Sequence, residues 1–167
     1  MRYTLSILVD NESGVLSRIA GLFSARGFNI ESLCVAETLE PDTSRITLVT
    51  SGDEFIIHQI IKRFNNMVNV IEVADLTNET RVEREMILVR IDARIETRAE
   101  ILRIADIFRA KVVDVGVKSY TLELTGDLDK ITAFIELLQP MGIKEIARTG
   151  TVAMTREVKP KPRREKL

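Results

Sequence analysis

The residues that decide the fold are 3–27, which read YTLSILVDNESGVLSRIAGLFSARG. Apolar side chains first alternate with polar ones along residues 3–9, as they do in a half-buried strand. Turn-forming residues follow at 10–14, and from Val15 the apolar residues recur at the three- and four-residue spacing of a helix. Gly27 is typical of the residue that ends a helix. This stretch therefore predicts a strand, a tight connection and an amphipathic helix, in that order.

The rest of the first half predicts two strands, a second helix and a fourth strand. The strands cover residues 29–37, 45–51 and 68–74, and the helix covers 54–64. The helix carries apolar residues that we expect to face inward: Phe55, Ile56, Ile60, Ile61 and Phe64. The resulting order, βαββαβ, is that of a ferredoxin-like fold.

The second half repeats this pattern. Strands are predicted over 86–91, 111–117, 120–125, 143–147 and 151–154, and helices over 99–110 and 128–138. The helices carry apolar residues at helical spacing: Ile101, Leu102, Ala105 and Phe108 in the first, and Ile131, Ile135 and Leu138 in the second. We therefore predict an α+β chain of two tandem ferredoxin-like domains.

The predicted domain boundaries follow the composition. The first domain covers residues 1–76 and the second covers 85–154, with a polar linker at 77–84 between them. Residues 155–167 form a basic tail with a local charge of +4. We expect the tail to be extended because it contains two prolines, and mobile because chain ends are usually disordered unless they are docked.

A ferredoxin-like domain of this size is marginal by itself, because a small domain buries only about 60% of its unfolded surface. Both helices lie on one face of the sheet, so the other face and two strand edges stay open. The predicted strand at 29–37 nevertheless carries apolar residues on both faces. We therefore expect a covered second face or a paired edge, most simply in a two-fold homodimer.

Composition narrows the range of functions. The chain has 167 residues, a net charge of −1, one histidine, one cysteine and no tryptophan. No apolar run is long enough to span a bilayer and no secretory signal begins the chain, so we expect a cytoplasmic protein without a membrane partner. A single cysteine excludes an internal disulfide, and the scarcity of histidine disfavours an enzyme that works alone.

The sequence lacks the motifs that are characteristic of several other classes of protein. Neither glycine-rich nucleotide-binding loop occurs, and no cluster of histidine, cysteine and carboxylate residues has metal-binding spacing. RNA-recognition domains share the βαββαβ order but place aromatic residues on their central strands to stack bases. The candidate strands here have no aromatic stripe, so we expect no nucleic-acid partner.

The candidate binding site is the connection between the first strand and the first helix. The first turn of a helix has unpaired backbone N–H groups, which attract anions without a basic side chain. Gly14 allows a ligand to approach the amides of Gly14, Val15 and Leu16, and Asn11 offers an amide side chain beside them. Together they suit the carboxylate and ammonium of an α-amino acid, with Leu16 and Ile30 beside an aliphatic side chain. The alternative is structural, with Ser13 serving only as the helix cap.

The segment NESGVLSRI at residues 11–19, followed by GLFSARGFNIESL at 21–33, resembles the start of the small, regulatory subunit of acetolactate synthase (acetohydroxyacid synthase). The resemblance continues through VERE at 82–85, FRAKVVDV at 108–115 and RTG at 148–150, and covers nearly the whole chain outside the tail. Cys34 stands where many members carry threonine, and Val15 where alanine is frequent. Both differences are small.

The resemblance implies an N-terminal ACT domain, an amino-acid-binding module that pairs side by side with a second copy. Valine is the implied effector, with Asn11, Gly14, Val15 and Leu16 supplied by one chain and Asn29 and Ile30 by the other. It further implies that this chain activates a catalytic large subunit and confers feedback inhibition in branched-chain amino-acid biosynthesis. The catalytic subunit would hold thiamine diphosphate, Mg²⁺ and FAD, and this chain none of them.

Some alternatives remain open from the sequence. An ACT-type amino-acid sensor acting on a different partner would use much the same binding residues. His58 lies on the second predicted helix without an evident partner, so we expect a surface histidine. Cys34 lies in a strand rich in small residues, which predicts a buried thiol.

Overall fold

The computed structural model describes residues 1–157, which form two α+β units. The first unit contains β1 (Arg2–Asp10), α1 (Val15–Ser24), β2 (Ile30–Glu37), β3 (Thr43–Ser51), α2 (Glu54–Asn65) and β4 (Val70–Asp75). The second contains β5 (Arg81–Asp92), α3 (Arg98–Phe108), β6 (Lys111–Val115), β7 (Ser119–Gly126), α4 (Leu128–Leu138), β8 (Ile143–Arg148) and β9 (Val152–Thr155). The predicted pair of tandem ferredoxin-like units is confirmed.

The two units share one sheet topology. Strand order is β2-β3-β1-β4 in the first and β6-β7-β5-β8 in the second, and neighbouring strands are antiparallel. Alternate residues of the central strands point toward the helices, which gives each unit its own core. In the first unit, the buried core residues on the two central strands are Tyr3, Leu5, Ile7, Val9, Ile46 and Leu48. In the second unit, they are Ile87, Val89, Ile91, Leu122 and Leu124.

Helix α2 differs in detail from its predicted inward face. Phe55 is 70% exposed, so the prediction that it faces inward is wrong. The helix buries Ile57 instead. In α2 the reason is geometric, because Ile57 lies three and seven residues before the buried Ile60 and Phe64 and so shares their stripe, whereas Phe55 lies outside it.

Strand β5 extends into the stretch that we predicted as a linker. Residues 81–84 pair with β9 in an antiparallel ladder, from Arg81 opposite Thr155 to Arg84 opposite Val152. The rest of β5 pairs with β7 and β8. The connection between the units is therefore only residues 76–80, because strand β9 supplies the partner that turns a polar stretch into a strand.

Strand β9 also lies over the helix-free face of the first sheet. Ala153 is buried, and it lines a small cavity together with Ser6 and Arg45 of that sheet. Thr47 and Val49, which project from the same face, are buried as well. The chain thus covers part of its own open sheet face, whereas β2 remains an edge strand.

The described residues 1–157 include no helix that is both long enough and apolar enough to cross a membrane. Of the predicted tail, Thr155 belongs to β9, and the Arg156 amide donates to the Thr80 carbonyl at 2.8 Å. The remaining prediction for the tail concerns residues 158–167, which lie outside the described part of the chain.

Candidate functional site

Gly14 shapes the connection between β1 and α1. It occupies the N-cap position of α1 with a φ of 87°, a left-handed conformation that glycine adopts without strain. No side chain caps this helix, so the alternative that Ser13 serves as the cap is wrong. Space next to the Gly14 α-carbon is open: apart from Gly14 and its chain neighbours, no atom lies within 4 Å of the position that a Cβ would take.

The start of α1 presents free backbone donors. Within residues 1–157, the amides of Gly14, Leu16 and Ser17 have no hydrogen-bond acceptor. The first turn contains no acidic side chain that would compete for them. By contrast, α2 and α4 are capped by Asp53 and Asp127, whose carboxylates accept from backbone amides. The α1 terminus therefore combines unpaired N–H groups with the positive end of the helix dipole, which suits a carboxylate.

Asn11 is held in a fixed orientation beside this terminus. Its Nδ2 donates to the Pro41 carbonyl oxygen at 2.9 Å and to Glu37 Oε1 at 3.1 Å, and its backbone amide donates to the Asp42 carbonyl at 2.7 Å. Because the side-chain donor is engaged, Oδ1 is the polar atom of this side chain that stays available as an acceptor. An exposed acceptor next to the Glu37 carboxylate suits an ammonium group.

A second polar network fixes the loop from its other side. Asn69 Nδ2 donates to Asp10 Oδ2 at 3.3 Å and to Glu12 Oε2 at 3.1 Å, and Asn69 Oδ1 accepts from Arg18 Nη1 at 2.8 Å. Residues before and after Gly14 are thus tied to the same side chain. This keeps the amides of the helix start in place without occupying them.

The apolar residues predicted for the site differ in how exposed their side chains are. Val15 is 2% exposed and packs in the core. Contrary to the prediction, its amide is engaged, because it donates to the Glu12 carbonyl at 3.4 Å. Leu16 is 38% exposed and presents its side chain to solvent. Ile30 is half-buried against the core, and Asn29 before it is exposed.

Within one chain the predicted residues form two separate groups. Ile30 pairs with Thr50, and Thr50 pairs with Tyr3 near the start of β1, whereas Asn11 follows the end of β1. Asp10 lies seven positions after Tyr3 along β1, which corresponds to about 23 Å of strand. Asn11, Gly14, Val15 and Leu16 therefore lie at one end of the sheet, and Asn29 and Ile30 lie at the other.

Sequence reasoning missed the residues that orient Asn11. Glu37 ends β2 and Pro41 lies in the connection between β2 and β3, so only the folded sheet brings them to Asn11. No local pattern marks either residue.

Neither the single histidine nor the single cysteine belongs to this site. His58 is exposed on α2, as predicted. Cys34 is only half-buried, so the prediction of a buried thiol is wrong: its side chain projects from the sheet face that β9 leaves partly open. No group of three or more potential metal ligands occurs within the described residues.

Comparison with known proteins assigns both units to one family. The family model for the AHAS small subunit-like ACT domain matches residues 5–72, and that for the small subunit of acetolactate synthase matches residues 84–157. A probable acetolactate synthase small subunit from Archaeoglobus fulgidus is 51% identical over 156 residues, which cover 93% of this chain and 98% of that protein. This chain belongs to the acetolactate synthase small-subunit family.

Other family members agree over nearly the whole chain. The small subunit from Aquifex aeolicus is 49% identical and is matched over 94% of this chain and 82% of its own length. The crystal structure of the small subunit from Thermotoga maritima superposes with a TM-score of 0.86 at 41% identity, covering 95% of this chain and 99% of that one. The first unit is thus the ACT domain of the family.

Proposed function

We propose that this chain is a non-catalytic regulatory subunit that binds L-valine between two copies of its ACT domain. Bound valine then lowers the activity of the catalytic large subunit, whereas the chain without valine raises it. The supporting observation is the position of β2: it is an edge strand, and the two groups of candidate residues lie at its opposite ends.

A two-fold pairing of β2 edges joins these groups. An isologous interface between two edge strands is antiparallel when the axis is perpendicular to the sheet. The Ile30 end of one β2 then meets the Glu37 end of the partner's β2, where Asn11 is held. Such a dimer contains two equivalent sites, each with a helix start from one chain and a strand start from the other.

The chemistry of each site fits an α-amino acid with a branched aliphatic side chain. Free amides at Gly14 and Leu16 donate to the carboxylate, and Asn11 Oδ1 accepts from the ammonium together with the Asn29 side chain of the second copy. Leu16 and Ile30 enclose the isopropyl group. Burying a valine side chain fully contributes about 1.5–3 kcal/mol.

A site shared by two chains links effector binding to the geometry of the dimer. Typical coupling free energies of about 1–3 kcal/mol change an affinity by roughly 5- to 150-fold. The thiamine diphosphate, Mg²⁺ and FAD of the reaction belong to the catalytic partner in this proposal. The reaction chemistry is then untouched, and only the arrangement of the catalytic subunit changes.

Isothermal titration of L-valine into the purified chain tests the site. We expect saturable binding of one valine per chain and no binding of D-valine, whose groups cannot meet all three contacts at once. An assay of the catalytic large subunit with this chain then tests the partner: activation without valine and inhibition with it are expected. Valine binding without any effect on that subunit would instead favour an amino-acid sensor that acts on a different partner.

The position of Cys34 tests the dimer independently. It lies at the middle of β2, so antiparallel pairing of two β2 strands brings the two Cys34 residues close to the axis and onto the same sheet face. Mild oxidation is expected to give a disulfide-linked dimer on a non-reducing gel, and Cys34→Ser is expected to abolish it. A wild-type dimer that never cross-links would contradict β2 pairing.

A further inference from the structure

The turn between β8 and β9 brings the second unit against β2. The Thr151 amide donates to Ser32 Oγ at 2.8 Å, and Thr151 is 5% exposed. Gly150 has a φ of 81°, and a Cβ there would lie 2.9 Å from Ser32 Oγ and 3.1 Å from the Leu33 carbonyl oxygen. The two backbones therefore approach so closely that only glycine fits without displacement.

This turn is firmly anchored in the second unit. The Thr149 amide donates to the Met86 carbonyl, and the Met86 amide donates to Thr149 Oγ1, both at 3.1 Å. Arg148 donates twice to Glu85, at 2.5 Å from Nε and 2.9 Å from Nη2, and Glu85 is only 5% exposed. A displacement of the turn is thus passed directly to β5 and β8.

In the first unit, Ser32 lies two positions after Ile30, one of the proposed effector residues. The register between β2 and β3 shifts between Ile30 and Ser32, which marks an irregularity at Glu31. Such irregularities locally loosen the ladder and redirect the strand. A cleft of about 380 Å³ between the units is lined by Glu31 and Ser32 on one side and Glu85 and Arg148 on the other. The start of β2 therefore borders free space that allows it to shift.

We infer that Ser32 and the Gly150 turn are positioning elements that transmit the state of the effector site to the second unit. This inference rests on the proposed valine site at Asn29 and Ile30. Within residues 1–157, the Thr151–Ser32 contact is the hydrogen bond that joins the second unit to β2. Strand β9 also contacts the first sheet at β1. A ligand that orders the start of β2 then also fixes the Thr151 amide and the strands that follow it.

Hydrogen–deuterium exchange of the full chain, with and without L-valine, tests this inference. In the wild-type chain valine is expected to slow exchange both in β2 and at residues 149–155, by roughly fivefold or more if the coupling is typical. In Ser32→Ala and Gly150→Ala, slowing in β2 is expected to persist and slowing at 149–155 is expected to be lost. Ser32→Thr retains the hydroxyl and is expected to retain the response.

Gly142→Ala is the matched control. Gly142 has a φ of 94°, so alanine there meets the same backbone strain, but the nearest atom to its Cβ is Asp92 Cβ at an ordinary 3.5 Å within the second unit. This variant is expected to respond to valine like the wild-type chain. A loss of response shared by Gly142→Ala and Gly150→Ala would assign the effect to strain alone and overturn the inference.

The outcomes separate the inference from the function on which it rests. If valine slows exchange nowhere in the wild-type chain, the proposed effector site fails and the inference fails with it. If valine slows β2 but not residues 149–155 in the wild-type chain, the site stands and the inference alone is overturned. The inference alone is also overturned if Ser32→Ala and Gly150→Ala both keep the full response at 149–155.

Discussion

The two units begin their first helices differently although their folds match. In the ACT domain, α1 starts at a left-handed glycine and leaves its first amides open. In the second unit, the corresponding connection has no glycine, and Arg98 lies at the first position of α3. The Arg98 guanidinium donates to the Ala93 carbonyl at 2.9 Å and to the Val117 carbonyl at 2.8 Å.

This difference separates what the fold provides from what the sequence adds. Both units place a helix start beside the end of a central strand, where backbone N–H groups face outward. In the second unit, the cationic Arg98 side chain ties the connection to the loop between β6 and β7. The ACT domain keeps the same region free and fixes it from the sides through Asn11 and Asn69. Of these two helix starts, only the first has a left-handed glycine and no acidic side chain in its first turn.

A negative charge in the connection between β1 and α1 is expected to have the largest effect, on valine binding. Gly14→Asp places a carboxylate beside the free amides, and two unit charges about 4 Å apart near a protein surface repel by roughly 4 kcal/mol. Allowing for screening by salt, we expect valine affinity to fall by about a hundredfold. Isothermal titration measures this loss, and the holoenzyme is expected to become insensitive to valine.

Gly14→Asn is the control for that substitution. Asparagine has nearly the same shape and also tolerates a left-handed backbone, but it carries no charge. It is expected to retain most of the affinity that Gly14→Asp loses. Equal losses in both variants would mean that space at Gly14, and not an anion site, governs binding.

The next largest effect is expected in the second unit, on stability. It concerns the ion pair between the buried Glu85 and Arg148. Arg148→Ala leaves the Glu85 carboxylate buried without its partner, which typically costs about 3–5 kcal/mol. The Arg148 side chain is 44% exposed, so we expect a smaller loss of about 2–3 kcal/mol in the free energy of unfolding. Urea denaturation measures it.

A second ion pair of the same unit provides the comparison. Arg90 and Glu145 form a contact at 2.5 Å, but their side chains are 49% and 62% exposed. Arg90→Ala is therefore expected to cost no more than about 1 kcal/mol. If both variants lose the same stability, the Glu85–Arg148 pair is not the anchor of the Gly150 turn.

The fold was predictable where local patterns agree with tertiary packing. Helix α4 has the predicted bounds because Asp127 caps its start and Ile131, Phe134 and Leu138 form one buried stripe. The prediction of a linker at residues 81–84 was wrong because their strand depends on pairing with β9, which lies about 70 residues further along the chain. A polar stretch in an edge ladder carries no periodic signal of its own.

The candidate site was predictable in chemistry but not in arrangement. Gly14 and Asn11 are recognisable because the sequence pattern changes from strand to helix there, which marks the connection that contains both residues. The distance between Asn11 and Ile30 follows from the order of strands in the sheet, which local sequence does not specify. The contact between Ser32 and Thr151 joins residues 119 positions apart, and it depends on how the two units dock.

Removing Arg98 tests whether that side chain closes the second connection. Arg98→Ala loses two charge-assisted hydrogen bonds to carbonyl groups, so we expect the free energy of unfolding to fall by about 1–2 kcal/mol. Arg103→Ala on the same helix removes an exposed pair with Glu100 and is expected to change it by less than about 0.5 kcal/mol. Valine binding is expected to be unchanged in both. A second valine bound per chain in Arg98→Ala would show that this residue alone distinguishes the two connections.

The smallest expected effect concerns Asp92, which ends β5 as Asp10 ends β1. Hydrogen bonds from Arg94 and then Lys144 hold the pKa of the Asp92 carboxyl below its ordinary value. Because this pKa is lower in the folded chain than in the unfolded chain, ionised Asp92 stabilises the fold above about pH 4. That contribution is lost as pH falls through the folded pKa. Asp92→Asn is therefore expected to lower the unfolding temperature slightly near pH 7 and to match the wild-type chain once the pH is below the folded pKa. Asp106→Asn, at an exposed position of α3, is the control and is expected to follow the wild-type curve. A constant difference between Asp92→Asn and wild type at every pH would assign the effect to packing instead of charge.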